Sequence, residues 1–571
     1  MNEANAPSPA EVEALRRRLA AAVFAVVDGG PAELPADVAQ VLQDTHGIAY
    51  VCLRRGGRAL AEAWSSGHQE TWAAALCQAE VLARGEVTGA RASVDAVEVC
   101  LGLAPERARI DKDRAALASH ERRGIAGLEL TCAAGRERFA PTAQIARNRR
   151  TEKWLEAAQK ALGLSDAQLA GDDVTLSRFP CAQQLITRAD LTVHPLLRGK
   201  PLVEPTAITR AGVRELEALW ADFLVRGVQP DGRMQYIYYP SRGEEDRKRN
   251  NMIRQWMATL ALIRLARRRG DKRLIKLADD NLRFNLRAFY RPSGKLGLIE
   301  YNHKVKLGAV ALAVLSIVEH PQRKQLKRVE PRLWATIDHL WRPGGAFRTF
   351  FKPAERNDVQ NFYPGEALLA WAARLCEGDD PALYERFMAS FHHYRDWHRA
   401  QRNPAFVPWH TQAYYEVWRR SGEAALRDFI FEMNDWLLAM QQWDDVAAPD
   451  ARGRFYDPRH PEYGPPHASA TGVYLEGLID AFALAREVGD SARVAAYRQA
   501  ILRGLRSARQ LTFFGDVDMF YVSKRDALRG GVRNTVYDNV VRVDNVQHNL
   551  MAVFKVLDRF TDDDFAAVDR E

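Results

Sequence analysis

YNHKVKLGAVALAVLSIV, residues 301–318, decides the fold, because a polar and aromatic opening runs directly into a helix apolar on nearly every side. Such a helix has no face to offer water and belongs in the interior of a large domain. Its apolar run, 307–318, spans 12 residues and is interrupted by Gly308 and Ser316, short of the roughly 20 that cross a bilayer. Five further segments are built alike: RKRNNMIRQWMATLALIRLA (247–266), NFYPGEALLAWAARL (361–375), PWHTQAYYEVWRR (408–420), HASATGVYLEGLIDAFALA (467–485) and RVDNVQHNLMAVFKVL (542–557). Most precede a helix with one polar face, as at 272–289, 382–397 and 492–510. Six buried helices alternating with six exposed ones predict an all-α (α/α)6 toroid over 210–571, with an open solenoid as the alternative. The six inner openings then share one face, where free backbone N–H groups suit oxygen-rich or anionic ligands.

The preceding residues differ in kind. Of 571 residues, the first 195 hold 23 Lys and Arg against 25 Asp and Glu, and the rest 58 against 48. Only seven of 53 aromatics fall in that first part, so two domains of different composition are expected. GIAYVCLRRGG (47–57) and VDAVEVCLGL (94–103) read as strands, and residues 13–27, 69–84 and 151–162 as helices, giving an N-terminal α+β domain over 1–190. The proline-bearing LTVHPLLRGKPLVEPTAIT is assigned as a linker, 191–209. The start of the chain lacks a basic stretch ahead of an apolar core, which predicts a cytoplasmic protein. Cysteines 52, 77, 100, 132, 181 and 376 are too scattered for a zinc ribbon or a disulfide framework and are expected to be small buried residues.

Candidate chemistry gathers at the six openings: Arg249, Asn250 and Arg254; Asn302 and His303; Asp358, Asn361, Tyr363 and Glu366; Trp409, His410 and Gln412; His467; Asp544, Gln547 and His548. Tyr474 joins them as an aromatic with one polar end, suited to a sugar face. Glu366 follows Tyr-Pro-Gly in the first turn of an apolar helix, where a carboxyl either complements the helix dipole or, desolvated, becomes a general acid. Asp358 and Asp544 are its candidate partners, and His410, His467 and His548 the candidate bases. No short His-x-x-x-His or cysteine pair suggests a metal, and no glycine-rich phosphate loop suggests a nucleotide cofactor. The net charge of +8 comes without a zinc finger or RNP phrase, so nucleic acid is not expected. Its basic loop RGEEDRKRNN (242–251) is either a solvated surface or a contact for an acidic polymer. Oligomeric state is left open.

Two resemblances follow. The order of "GIAYVCLRRGG", "VDAVEVCLGL", "GIAGLEL", "RFAPTAQIARN", "TEKWLEAAQKALGL" and "VTLSRFPCAQ" resembles the AMMECR-type domain. That family's Arg-Gly-Cys-Ile-Gly phrase has no counterpart after Gly57, where this chain reads RALAEAW, so the resemblance implies a fold and no site. The six helical segments, with phrases such as NFYPGEALLAWA, resemble the six-hairpin carbohydrate-active enzymes, which include glycoside hydrolases, unsaturated glucuronyl hydrolases, N-acylglucosamine 2-epimerase-like proteins and polysaccharide lyases. It implies an enzyme acting on a glycan or uronate-containing saccharide, with a hydrolase slightly ahead of a lyase or epimerase. A non-catalytic glycan-binding or scaffold module is the alternative from another class.

Overall fold

In the computed structural model, residues 9–30, 48–66, 76–81, 84, 94–102, 106–108 and 120–566 are described. The expected helix at 69–84 therefore lies largely outside the described residues, with 76–81 helical. Strand β1 (Ile48–Arg55) shows how the N-terminal sheet domain is built: seven of its eight residues are buried, yet alternate ones go to different cores. Ala49, Val51 and Leu53 pack with Leu19, Val23 and Phe24 of helix α1 (Pro9–Val27). Tyr50 and Cys52 pack on the other side with Trp154 and Leu155. A strand covered on both faces reads as a continuous apolar run, while its pleat still sorts side chains by twos. Strand β1 pairs with β2 (Arg58–Ser66) and β3 (Ala96–Gly102). The 13-residue β7 (Thr175–Thr187) joins β3 at one end to β4 (Glu106–Ala108) and β5 (Ala126–Cys132) at the other, with β6 (Gly135–Phe139) beyond β5. Helices α2 (Pro141–Ala146) and α3 (Thr151–Ala161) cover the second face.

The stretch assigned to a linker begins as structure. Thr192–Leu196 forms β8, antiparallel to β7, with Val193 and Leu196 buried. Pro195 fits because β8 pairs with β7 alone, and an edge strand tolerates a residue without an N–H. The chain leaves the sheet only after Leu196.

From there twelve long helices alternate. The outer ones are α4 (Arg210–Arg226), α6 (Lys272–Phe289), α8 (Glu330–Leu340), α10 (Pro381–Ala400), α12 (Ala424–Leu438) and α14 (Ser491–Leu511). The inner ones are α5 (Met252–Arg269), α7 (Leu307–Glu319), α9 (Tyr363–Glu377), α11 (Val407–Ser421), α13 (Ala468–Glu487) and α15 (Val543–Arg559). Each inner helix touches the next, and α15 returns to α5, so the inner ring is closed and the region is α/α toroid-like. Outer helices bury one stripe, as Ala278, Asn281, Leu282, Asn285 and Phe289 do along α6. On the face where inner helices begin lie two small antiparallel sheets. One is β9 (Ile237–Tyr239), β10 (Glu244–Asp246), β15 (Arg533–Thr535) and β16 (Asp538–Arg542); the other is β11 (Tyr290–Ser293), β12 (Leu296–Tyr301), β13 (Lys304–Lys306) and β14 (Phe350–Lys352). No described helix is long and apolar enough to cross a membrane.

The sheet domain and the connector that follows it rest against the toroid through specific contacts. Arg198 meets Asp450 at 3.1 Å, Arg454 meets Glu121 at 3.0 Å, and Arg506 Nε donates to Val203 O at 2.9 Å. Gly57 has φ +80, and a Cβ there would lie 2.1 Å from Val522 O, so only glycine allows this approach. Cys52 and Cys100 are buried as expected, whereas Cys376 is exposed.

Candidate active site

Five of the six inner helices bring their first turns to one cavity of about 310 Å³, at the lower end of the range for small-molecule sites. Of the residues singled out in the sequence, Arg254, Tyr363, Glu366, Trp409, His467, Tyr474, Asp544 and His548 line it. Helix α7 contributes room instead of a side chain: a Cβ on Gly308 would sit 1.7 Å from Glu366 Oε2, so the glutamate lies against bare backbone.

Glu366 is 2% exposed, and its Oε2 has no partner among the described residues. Burial pushes its carboxyl up to about 8, with Lys306 pulling weakly the other way. At neutral pH it therefore keeps its proton. Asp544, 3% exposed, is in the opposite state. Its Oδ2 accepts from Arg254 Nε at 2.8 Å and Arg542 Nη2 at 2.9 Å, leaving Oδ1 without a described partner. Burial alone would raise this carboxyl, but the guanidiniums of Arg542 and Arg254 outweigh it and hold it below the usual range. Arg254 also donates to Tyr236 Oη at 2.6 Å.

The two histidines are held by different partners. His467 caps α13 by accepting Ala470 N–H on Nδ1 at 3.0 Å, with Ser469 Oγ 2.8 Å from the same nitrogen. Ser469 Oγ takes a hydrogen bond from Arg542 Nη2 at 3.1 Å, so its own proton goes to His467. A nitrogen that accepts twice cannot carry hydrogen, so the ring proton lies on Nε2. Burial and the Arg542 charge lower this imidazole to about 4. His548 Nδ1 instead lies 2.6 Å from Glu476 Oε1, and Glu476 is fully buried. Nε2 of the same ring lies 3.0 Å from the side-chain amide of Gln547, whose oxygen accepts from it while its nitrogen donates to Met257 O at 3.3 Å.

The remaining candidates lie elsewhere, for reasons of helical geometry and loop shape. His410 follows Trp409 by about 100° of helix; it stacks on Phe406 at 3.5 Å, gives Nδ1–H to Phe406 O at 2.9 Å and is lowered to about 3 by burial. Gln412 accepts from Lys555 Nζ at 3.0 Å and lines a separate cavity. Gln547, one residue before His548, is buried outside the lining. Asp358 is exposed and paired with Arg356 at 2.6 Å. Exposed Arg249 sits 3.4 Å from Asp246, Asn250 accepts from Asn251 N–H at 2.8 Å, and Asn361 accepts from Trp397 Nε1 at 3.5 Å. Asn302 and His303 form the exposed turn between β12 and β13 with positive φ.

Sequence reasoning passed over Arg542 and Glu476, and the lining residues Val359, Phe362 and Tyr463. Glu476 had a signal: with Asp480 it is one of two acids in the apolar run VYLEGLIDAFALA, and a buried acid needs a partner.

No protein-family model matches the chain, and no curated protein matches it in sequence. A D-mannose isomerase structure is 11% identical, covering 60% of this chain and 97% of its own, with a TM-score of 0.46. An alpha-1,6-mannanase from a Salegentibacter species is 12% identical over 60% of this chain and 98% of its own, TM-score 0.43. An uncharacterized protein from Pyrococcus horikoshii is 14% identical over 33% of this chain and 96% of its own, TM-score 0.27. The chemistry is read from the cavity itself.

Proposed function

We propose that the chain is a carbohydrate-active enzyme, a glycoside hydrolase in which Glu366 is the general acid and Asp544 the ionised partner. The observation that carries this reading is the contrast between two buried carboxyl groups lining one cavity, Glu366 without a described partner on Oε2 and Asp544 held by the guanidiniums of Arg254 and Arg542, surroundings that push one carboxyl up and the other down and let one site hold an acid and a base at the same pH. Glu366 protonates the departing glycosidic oxygen. Asp544 Oδ1, without a partner among the described residues, either takes a proton from the attacking water or attacks the anomeric carbon. Trp409, Tyr363 and Tyr474 supply amphipathic walls for sugar rings, and His467 Nε2–H is a fixed donor for a hydroxyl. The catalytic unit is taken as 210–571, and the AMMECR-type reading is kept for the fold of the N-terminal domain, with no chemistry attached.

A second reading, epimerase, isomerase or lyase, is supported by the His548–Glu476 pair, because a histidine oriented by a carboxylate is suited to moving a proton next to a carbonyl. Purified protein incubated with neutral and uronic oligosaccharides in D2O separates the readings. New reducing ends without carbon-bound deuterium support the hydrolase. Deuterium on carbon, or the ultraviolet absorbance of an unsaturated uronate, moves the assignment to His548. Specific saccharide or protein binding without any product supports the non-catalytic module instead.

A further inference from the structure

Strand β16 meets the sheet domain at one end and the cavity at the other. Asn539, 1% exposed, donates from Nδ2 to Ile145 O in the sheet domain at 2.8 Å and to Ser241 Oγ at 2.9 Å. Asp538 beside it accepts from Asn148 Nδ2 at 3.0 Å, and Asn148 Oδ1 is held in turn by Arg123 Nη2 at 2.9 Å. Asn148 has φ +45, a left-handed conformation that asparagine tolerates better than most residues. Three positions beyond Asn539, at the C-terminal end of the strand, Arg542 reaches Asp544 and Ser469. The strand is also fixed along its length: Val541 and Arg542 pair with Tyr238 and Ile237, and Val543 N–H donates to Tyr236 O at 2.9 Å.

We propose that the N-terminal sheet domain is a positioning element of the cavity: its turn at 145–148 fixes β16, and β16 sets the Arg542 guanidinium against Asp544. Asn148 and Asn539 touch no substrate and act through Arg542. The proposal rests on the reading of Asp544 as an ionised catalytic group. The charges facing Asp544 are Arg542, Arg254, His548 and His467. Loosening β16 withdraws the first of these, so Asp544 takes up a proton at higher pH than before.

Three full-length variants test this: Asn539→Ala, Asn148→Ala and, as a control at another point of the same junction, Arg454→Ala, which removes the pair with Glu121 and, within the toroid, the bond to Gln442 and the contact with Tyr456, and touches neither β16 nor Arg542. Hydrogen exchange of peptides covering 533–548 should be at least tenfold faster in both asparagine variants and unchanged in Arg454→Ala. Phenylglyoxal labelling of Arg542, read by peptide mass, should accelerate by a similar factor. The acid limb of the kcat/KM profile should move to higher pH, lowering the value at the wild-type half-maximum at least threefold, again without change in Arg454→Ala. Unchanged exchange or labelling in the asparagine variants overturns the proposal, as does an acid limb that stays in place or moves equally in Arg454→Ala. Exchange and labelling need no substrate. If the oligosaccharide panel shows no turnover, they still decide whether the sheet domain positions Arg542, and only the role given to Asp544 falls.

Discussion

Glu366 and Asp544 make opposite demands on pH, and their substitutions should separate accordingly. If Glu366 is the general acid proposed, its carboxyl, raised to about 8, must act protonated, and kcat should fall as pH rises through 8. Glu366→Gln should lower it by about 10²- to 10⁴-fold with the profile's alkaline limb abolished. The same shift has a stability counterpart. Between its ordinary 4.5 and about 8 the folded chain holds a proton that the unfolded chain has released, so the native state loses stability as pH rises across that window. Melting curves of Glu366→Gln should match wild type near pH 4 and lie above it by pH 8, by an amount on the order of a few kcal/mol. The cavity's carboxylates and histidines were legible as residue types clustered at helix openings. Their selection was not: Trp409 faces the cavity and His410 does not, a distinction set by helix rotation that one sequence register leaves free. Arg542 was passed over although the phrase RVDNVQHN was in view, because the strand that aims it is short and flanked by a turn.

Elements divide by how much pattern they carry. The inner helices were readable because a helix apolar all round has few alternatives, and β1 and β3 because both are long and β-rich. Strands of three residues, such as β9, β10 and β15, carry no period at all, and β8 was obscured by a proline that an edge position tolerates. Helix α7 makes a specific prediction. Alanine in place of glycine inside a helix normally stabilises by ~1 kcal/mol, but a Cβ on Gly308 collides with Glu366 and lies 2.7 Å from Tyr363. Gly308→Ala should therefore lose most activity, and its crystal structure should show Glu366 displaced. The loop before α9 carries the reverse case. Val359 lines the cavity with φ +69, a conformation that costs a β-branched residue about 1–2 kcal/mol. It is kept there by Asn357 Oδ1, which accepts Thr349 N–H at 3.0 Å, and by Gln360 Nε2, which donates to Phe347 O at 3.1 Å. Val359→Gly should leave the melting temperature nearly unchanged while raising KM several-fold, since ~1 kcal/mol of apolar contact with substrate is lost.

At the scale of the whole molecule, the compositional break near residue 195 announced two units, while nothing in the sequence announced that they touch. The junction contains its own titrating group. Lys200 Nζ is buried 3.5 Å from Asp518 and donates to Thr512 O. Burial, partly offset by that carboxylate, lowers it from 10.5 to about 7. Between those values the unfolded chain holds a proton that the folded chain has released, so stability rises with pH across that window. In the Glu366→Gln background, where the opposing slope of Glu366 is absent, differential scanning calorimetry should show this rise between pH 7 and 9, and adding Lys200→Met should flatten it. The closed ring bears on how the protein comes into being. Arg254 and Asp544 are joined although 290 residues apart, and at roughly 5–20 residues per second of synthesis the first waits about 15–60 s for the second. Throughout that interval α5 and α7 have no α15 to complete their enclosure, so the nascent chain exposes helices that have no water-compatible side. The cavity thus appears all at once, late in translation, and truncated chains released early should be clients for chaperones, with no partly built cavity among them.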